Sequence, residues 1–367
     1  MRNLASTRNR TDALLLLVTL FLLTAGVTMI YSSSSIIALG RYKDSLYFLK
    51  RQFFYILLGL VIMMLLWKIP YQNLRKWAYP AFFLSVTLLL LLFIPHVGVK
   101  INRATRWLKI GIFTFQVTEL VKVAIVIFLA RYLTRKNIEP EKFTQGFLIP
   151  IIMTIFVLVP ILLQPDFGSV VIITLIMLSM LFLSGSKLRY LAGLIVLIIP
   201  LAFWQIMAAD YRWERLKTLF NPWKDPLGTG FQIIQSFISF GSGGTFGVGI
   251  GNSMQKLYYL PEPHTDFILS VIAEEGGFIA VAIIILLFAI FIFRGFMIAY
   301  KAPELFGSLL AAGLTIMIAV EAFVNIAGVM GVIPVKGLAL PFISYGGSSV
   351  VMSLTAVGIL MNISSFR

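Results

Sequence analysis

Ten apolar runs, each long enough to cross about 30 Å of hydrocarbon, occupy most of this chain and leave few folds open to it. They fall near residues 13–33, 52–69, 79–97, 117–135, 146–164, 168–186, 188–208, 267–295, 306–332 and 342–363. In lipid every backbone polar group must be satisfied internally, so such runs become helices and not open sheets. The expected fold class is an all-α polytopic membrane protein with about ten transmembrane helices. Only one connection is long, residues 209–266 between spans seven and eight, and loops of that length are often functional. Charged residues make up 12% of the 367, against roughly 25% in soluble domains. The chain reads as one integral-membrane domain, 1–367, with no room for a separate soluble one.

Composition removes several chemistries. There is no cysteine, so disulfides and thiolate metal sites are excluded. His96 and His264 are the only imidazoles, which argues against a zinc site. A net charge of +15 on a membrane protein points to anionic membrane lipids or an anionic substrate before nucleic acid, and no basic–aromatic nucleic-acid pattern stands out. Arg2, Arg8 and Arg10 precede the first apolar run as in a signal peptide, but that run lacks a small-x-small cleavage site and more spans follow. It is expected to stay as the first helix.

An even number of spans puts both termini on one side, and the Lys and Arg bias near span ends favours the cytoplasmic side for them. The long loop is then extracytoplasmic. The outer face still keeps many cations, among them Arg103, Arg106, Arg212, Arg215, Lys256 and Lys336. Cations held there against the usual tendency suggest a bound anion; anchoring of helix ends at the interface is the simpler alternative.

The long loop ends in Tyr259-Leu260-Pro261-Glu262-Pro263-His264-Thr265-Asp266. The prolines fix φ and hold the loop in a set shape. Asp266 falls where water meets lipid, so its carboxylate is partly desolvated and its basicity rises, as a general base requires. The alternative is a structural one, with Asp266 as the N-cap of the next helix.

Ionisable groups inside spans are costly and point to function. Glu119 and Lys122 are three apart on span four, on one helix face. They form either a polar wall of a substrate cavity or an internal ion pair. Glu274 and Glu275 lie two turns beyond Asp266, and Glu321 one turn before Asn325; packing roles suit these three better. Asp166, in Gln164-Pro165-Asp166-Phe167-Gly168-Ser169, reads first as a turn former. Residues 241–251 are glycine-rich without the strand–helix context of a dinucleotide site. A second small-residue segment, 334–349, carries Lys336 and Ser344.

Together these segments resemble the SEDS family (shape, elongation, division and sporulation proteins) of bacteria. The resemblance covers nearly the whole chain. It rests on Pro261 to Asp266, Gln164 to Gly168, Asn221-Pro222-Trp223 with Asp225-Pro226, and Asn325-Ile326-Ala327-Gly328 through Ser349. Phe48 to Gln52 and Lys336-Gly337 lean toward the division branch over the elongation branch. One departure is Val117-Thr118, where the family usually has Pro-Ser. The resemblance implies a multi-pass protein of the bacterial cytoplasmic (inner) membrane that polymerises lipid II into glycan strands, an inverting peptidoglycan glycosyltransferase with Asp266 as the essential carboxylate. It implies a class B penicillin-binding protein transpeptidase as partner, with other division proteins. Lys122, Arg103, Arg106, Arg212, Arg215 and Lys336 are candidates to neutralise the departing pyrophosphate, with a divalent cation (Mg or Mn) as a further candidate of unknown ligands. Glu119, His264 and Ser344 complete the expected substrate-binding set. A lipid II flippase and a non-catalytic division scaffold are the rival functions.

Overall fold

The computed structural model describes residues 11–95, 97–101, 104–111, 113–207, 210–257, 259–335 and 337–366. All ten expected spans are helices: α1 Ala13–Tyr42, α2 Tyr47–Lys68, α3 Leu74–Leu91, α4 Val117–Leu133, α5 Ile149–Leu163, α6 Phe167–Leu183, α7 Leu188–Met207, α10 Ile268–Lys301, α11 Leu305–Val329 and α12 Gly347–Ser364. Eight of these segments, α5 counted with the π-helical turn Phe143–Leu148 that leads into it, are at least 18 residues long and apolar enough to cross a bilayer. The other two, α4 and α6, have 17 residues each, or about 25 Å at 1.5 Å per residue. The protein is a polytopic, almost wholly helical membrane protein.

Burial sorts the helices. α11 and α12 are sequestered on most of their surface and form the centre. α2 and α4 pack on α12, and α4, α6 and α10 pack on α11. α7 stands at the rim, with Val196, Ile199 and Trp204 facing outward as lipid-contacting side chains do. Without a hydrophobic force between helices in lipid, close approach and polar ties hold such a bundle. At the end carrying the termini, Asp12 accepts from the Leu15 N–H at 3.1 Å and from Arg294 Nη2 at 2.6 Å, while its own N–H donates to Ser364 Oγ at 3.1 Å. One residue thereby links α1, α10 and α12.

The opposite end departs from a plain bundle in two ways. First, residues 98–116 build a three-stranded antiparallel sheet: β1 Gly98–Ile101, β2 Ala104–Ile110 and β3 Phe113–Gln116, in the order β1-β2-β3. It is tied to the bundle where Tyr55 Oη donates to Thr114 O at 3.1 Å and the Gln116 N–H donates to Ser348 Oγ at 2.8 Å. The sequence reading expects only a connector here.

Second, the long connection is structured. It holds α8 Asp210–Phe220 and α9 Phe231–Gly243, and then a non-helical stretch that enters the bundle. α10 is broken at Gly277, whose φ of 69° and ψ of −168° lie outside the helical region. The groups freed by the break pair with that stretch. Val248 N–H donates to Glu274 O at 2.9 Å and Gly249 N–H to Glu275 O at 3.0 Å; Phe278 N–H and Ile279 N–H donate to Gly244 O and Thr245 O at 2.9 and 3.2 Å. A Cβ on Gly277 would sit 2.4 Å from Gly247 N, so only glycine fits. Gly277 is nine residues along α10, so the stretch reaches about 13 Å into the bundle. Irregular backbone at such depth is tolerated only where protein or a cavity surrounds it. Glu274 and Glu275 do this surrounding: Glu274 accepts from the Met254 and Gln255 N–H groups at 3.0 and 3.3 Å, and Glu275 pairs with Lys256 at 2.7 Å and accepts from Ser32 Oγ at 2.7 Å.

Candidate active site

Residues 264–266 run just ahead of α10, and each carbonyl in turn is held. His264 O accepts from the Tyr345 N–H at 2.8 Å, Thr265 O from Ser344 Oγ at 2.6 Å, and Asp266 O from Asn325 Nδ2 at 3.0 Å. Ser344 is itself fixed, because its Oγ accepts from the Leu340 N–H at 2.8 Å. Gln52 accepts from the Gly346 N–H at 3.2 Å and braces the same segment from α2. Three successive backbone anchors therefore set where the Asp266 side chain starts.

The Asp266 carboxylate is not spent on capping. The N-cap of α10 is Phe267, with no side-chain cap bond, which settles the structural alternative against Asp266. Among the described residues nothing donates a hydrogen bond to that carboxylate. It lines a small cleft with Asn325, Gly328, Val335, Gly337 and Leu338. Burial pushes the Asp266 carboxyl up to about 6; Glu262 adds to the rise and Arg215 opposes it. At neutral pH it is mostly ionised and has the basicity a general base needs.

Gly337 sets the other wall. Its φ is 63°, and a Cβ there would lie 3.1 Å from Asp266 Oδ2. Gly337→Ala is expected to displace the carboxylate and strain the turn. Activity should fall about 10- to 100-fold, as small misplacements of a reacting group do, while stability drops by only about 1 kcal/mol. Parallel polymerisation and thermal-unfolding assays check this; equal losses in both would deny Gly337 its place beside the acid.

A second groove adjoins the cleft at Val335 and is lined by Arg215, Thr218, Thr229, Gln232 and Pro334. Arg215, exposed on α8, donates from Nη1 to Val335 O at 3.2 Å and so stands between the two. It is the expected cation that the structure brings to Asp266. Arg103 and Lys336 lie outside the described residues, as does the side chain of Arg212, whose backbone belongs to α8.

Other expected residues are committed elsewhere. Lys122 is buried in an ion triad, 2.8 Å from Glu119 and also bonded to Glu321 on α11. Of the two readings of Glu119 and Lys122, the internal pair is the one formed, with a third member that spacing along one helix does not reveal. Arg106 on β2 approaches Asp166 at 3.6 Å and donates to Gln164 O at 3.3 Å and to Pro165 O. Asp166 caps α6 through Ser169 N–H at 3.2 Å, as a turn former should. Lys122 and Arg106 therefore have their charge balanced within the protein. The capped turn still borders the site, since Gly168 faces Leu338 of the cleft. His264 is buried between Phe48 and Tyr345, with ring centroids at 4.3 and 5.6 Å. Burial, and then Arg41, push it down to about 4, so it is neutral at physiological pH and its 4.0 Å approach to Glu262 is no ion pair. Among the described residues no three Asp, Glu or His side chains converge on a point where a metal would be held.

Asn325 and Gly337 are the site residues that sequence reasoning passes over. Both lie in segments singled out as motifs, but an amide and a glycine carry no charge signal.

Known proteins match nearly the whole of this chain. The family model described as cell cycle protein, covering FtsW, RodA and SpoVE, matches residues 12–367. A probable peptidoglycan glycosyltransferase FtsW of Geobacter sulfurreducens is 43% identical over 97% of this chain and 95% of its own. Stage V sporulation protein E of Bacillus subtilis is 40% identical over 97% of both chains. Among solved structures, a chain from a peptidoglycan synthase complex that coordinates polymerisation and crosslinking superposes with a TM-score of 0.79 at 31% identity, covering 96% of this chain and 97% of that one. The rod shape determining protein RodA of Thermus thermophilus gives 0.71 at 26% identity, covering 99% and 98%. With the match spanning the bundle, the broken helix and the anchored carboxylate alike, this chain belongs to the FtsW/RodA/SpoVE family of cell cycle proteins.

Proposed function

We propose that the chain is a peptidoglycan glycosyltransferase that polymerises lipid II at the outer face of the bacterial cytoplasmic membrane, with Asp266 as general base. The observation that carries this reading is a carboxylate anchored by three backbone bonds, unpaired among the described residues, and raised to about 6 inside a cleft. Asp266 takes the proton of the C4 hydroxyl of an acceptor GlcNAc. That oxygen attacks the anomeric carbon of the donor MurNAc from the face opposite the diphosphate. The bond to the diphosphate breaks, its electron pair leaves with polyprenyl pyrophosphate, and configuration inverts. Arg215 stands at the adjoining groove to meet that charge, with Arg103, Arg212 and Lys336 as further candidates. A divalent cation is a further candidate to accompany the diphosphate; no step is routed through one.

The termini then lie in the cytoplasm. The FtsW and sporulation names of the relatives support a septal role over elongation. A class B penicillin-binding protein is the partner this reading calls for, supported by the synthase complex from which the structural neighbour comes.

Glycan synthesis from lipid II by the purified chain with its transpeptidase partner in detergent tests the reading. Detergent removes the bilayer that a flippase needs, and a scaffold makes no product, so absence of glycan strands would reject the enzyme. The pH profile adds a sharper check. Its acid limb should have an apparent pKa near 6. Glu262→Gln removes a group that raises Asp266 and should move that limb to lower pH; Arg215→Gln removes one that lowers it and should move the limb higher. Limbs that stay put in both variants would detach the profile from Asp266.

A further inference from the structure

Asn325 does two things at once. Its Nδ2 donates to Asp266 O at 3.0 Å and to Leu338 O at 2.6 Å. Both donor hydrogens of the amide are thereby used, which fixes its orientation: the carbonyl oxygen cannot trade places with the nitrogen without setting it against two carbonyls. Oδ1 is left buried with no hydrogen-bond partner among the described residues. The residue is 5% exposed and shares the cleft with Asp266. A buried acceptor without a donor is rare and costly, and such groups mark sites completed by something else. The cleft around this one has small residues, Gly328 and Gly337, where bulkier side chains would fill the space.

We infer that Asn325 Oδ1 accepts a hydrogen bond from the acceptor sugar, from a hydroxyl adjacent to the one that Asp266 deprotonates. This rests on the glycosyltransferase reading and deepens it. The same amide that holds the Asp266 backbone in place thus registers the sugar against the Asp266 side chain. Base and nucleophile are aligned through one residue. The contact forms as the sugar enters the cleft that Asn325 shares with Asp266, and it satisfies an acceptor that the described residues leave unpaired.

The test uses lipid II analogues lacking the GlcNAc 3-hydroxyl or 6-hydroxyl, the two groups that flank the nucleophile. The wild-type chain with its transpeptidase partner is expected to polymerise one of them roughly tenfold more slowly than lipid II, as loss of one hydrogen bond to a buried acceptor implies. Asn325→Ala is expected to be slower on lipid II and to treat that analogue and the parent alike. Asn325→Ser, which can still donate to one carbonyl, gives the same pattern should the alanine variant fold poorly. A purely structural Asn325, or one satisfied by trapped water, would slow all substrates equally and leave the wild-type enzyme indifferent to both deletions. If wild-type protein loses less than twofold on each analogue, or if the variants keep the full wild-type penalty, the inference is overturned. Failure of the underlying reading looks different: Asp266→Asn would then remain active whatever the hydroxyl deletions show.

Discussion

Asp266→Asn is expected to lower lipid II polymerisation by about 10²–10⁴-fold and, in the same protein, to raise resistance to heat. The two effects share one cause. Burial raises the carboxyl from 3.8 to about 6, so the folded state binds the proton more tightly than the unfolded chain. The sign follows: this group favours the fold below pH about 4, and that contribution is lost as pH rises through about 6. At pH 7.5 the fold carries an ionised group it holds at a penalty on the order of 2–3 kcal/mol. An amide of the same shape has no such penalty. Thermal unfolding in detergent should therefore show a higher Tm for Asp266→Asn by roughly 4–10 °C, with the gap narrowing as pH falls below about 6 and closing only near pH 4. A base chosen for reactivity is a poor choice for stability. Normal turnover by the variant would remove Asp266 from catalysis, and an unchanged Tm would mean the carboxylate is better solvated than its cleft indicates.

Lys122→Met carries the largest expected cost in stability. It leaves the buried carboxylates of Glu119 and Glu321 confronting one another across α4 and α11 with no cation between them. Removing one partner of a buried ion pair typically costs about 3–5 kcal/mol, which corresponds to a Tm lower by roughly 10 °C. The triple variant Glu119→Gln, Lys122→Met, Glu321→Gln removes the charges together and should recover most of that loss, since apolar or neutral replacements of whole buried networks are often tolerated. If Lys122→Met abolished polymerisation with no change in Tm, and the triple variant did not recover stability, Lys122 would be a substrate contact and not a packing cation.

The bundle was legible because its signal is coarse. About thirty ångströms of hydrocarbon demand runs of a length that few other structures need, and each of the ten runs became a helix, α1 running nine residues past its expected end at 33 and the others ending within six residues of their expected bounds. The sheet over residues 98–116 was not legible. Its strands are four to seven residues long and sit beside a transmembrane run whose apolarity overwhelms their alternation. The break at Gly277 was hidden because Glu274-Glu275-Gly276-Gly277, flanked by apolar residues on both sides, reads as a packing seam within one long helix. Asp266 stood out because a carboxylate at a lipid boundary is rare and prolines frame it. Asn325 did not, because its significance lies in an unpaired oxygen that only the fold reveals. Lys122 misled for a physical reason: a charge within a span advertises itself identically whether it awaits a ligand or already holds one from another helix, and Glu321 is 199 positions away.

The interruption in α10 also decides which parts of the molecule travel together. On one side of Gly277 lies the short segment that follows Asp266, on the other the long shaft, and the inserted 244–249 stretch is bonded to both: to Glu274 O and Glu275 O before the break, and to the Phe278 and Ile279 N–H groups after it. The Asp266 backbone is tied in turn to α11 through Asn325 and to the 344–345 segment. The interruption is thus splinted and not a free swivel, so that a shift of the shaft, of the short segment or of the inserted stretch is passed on to the other two.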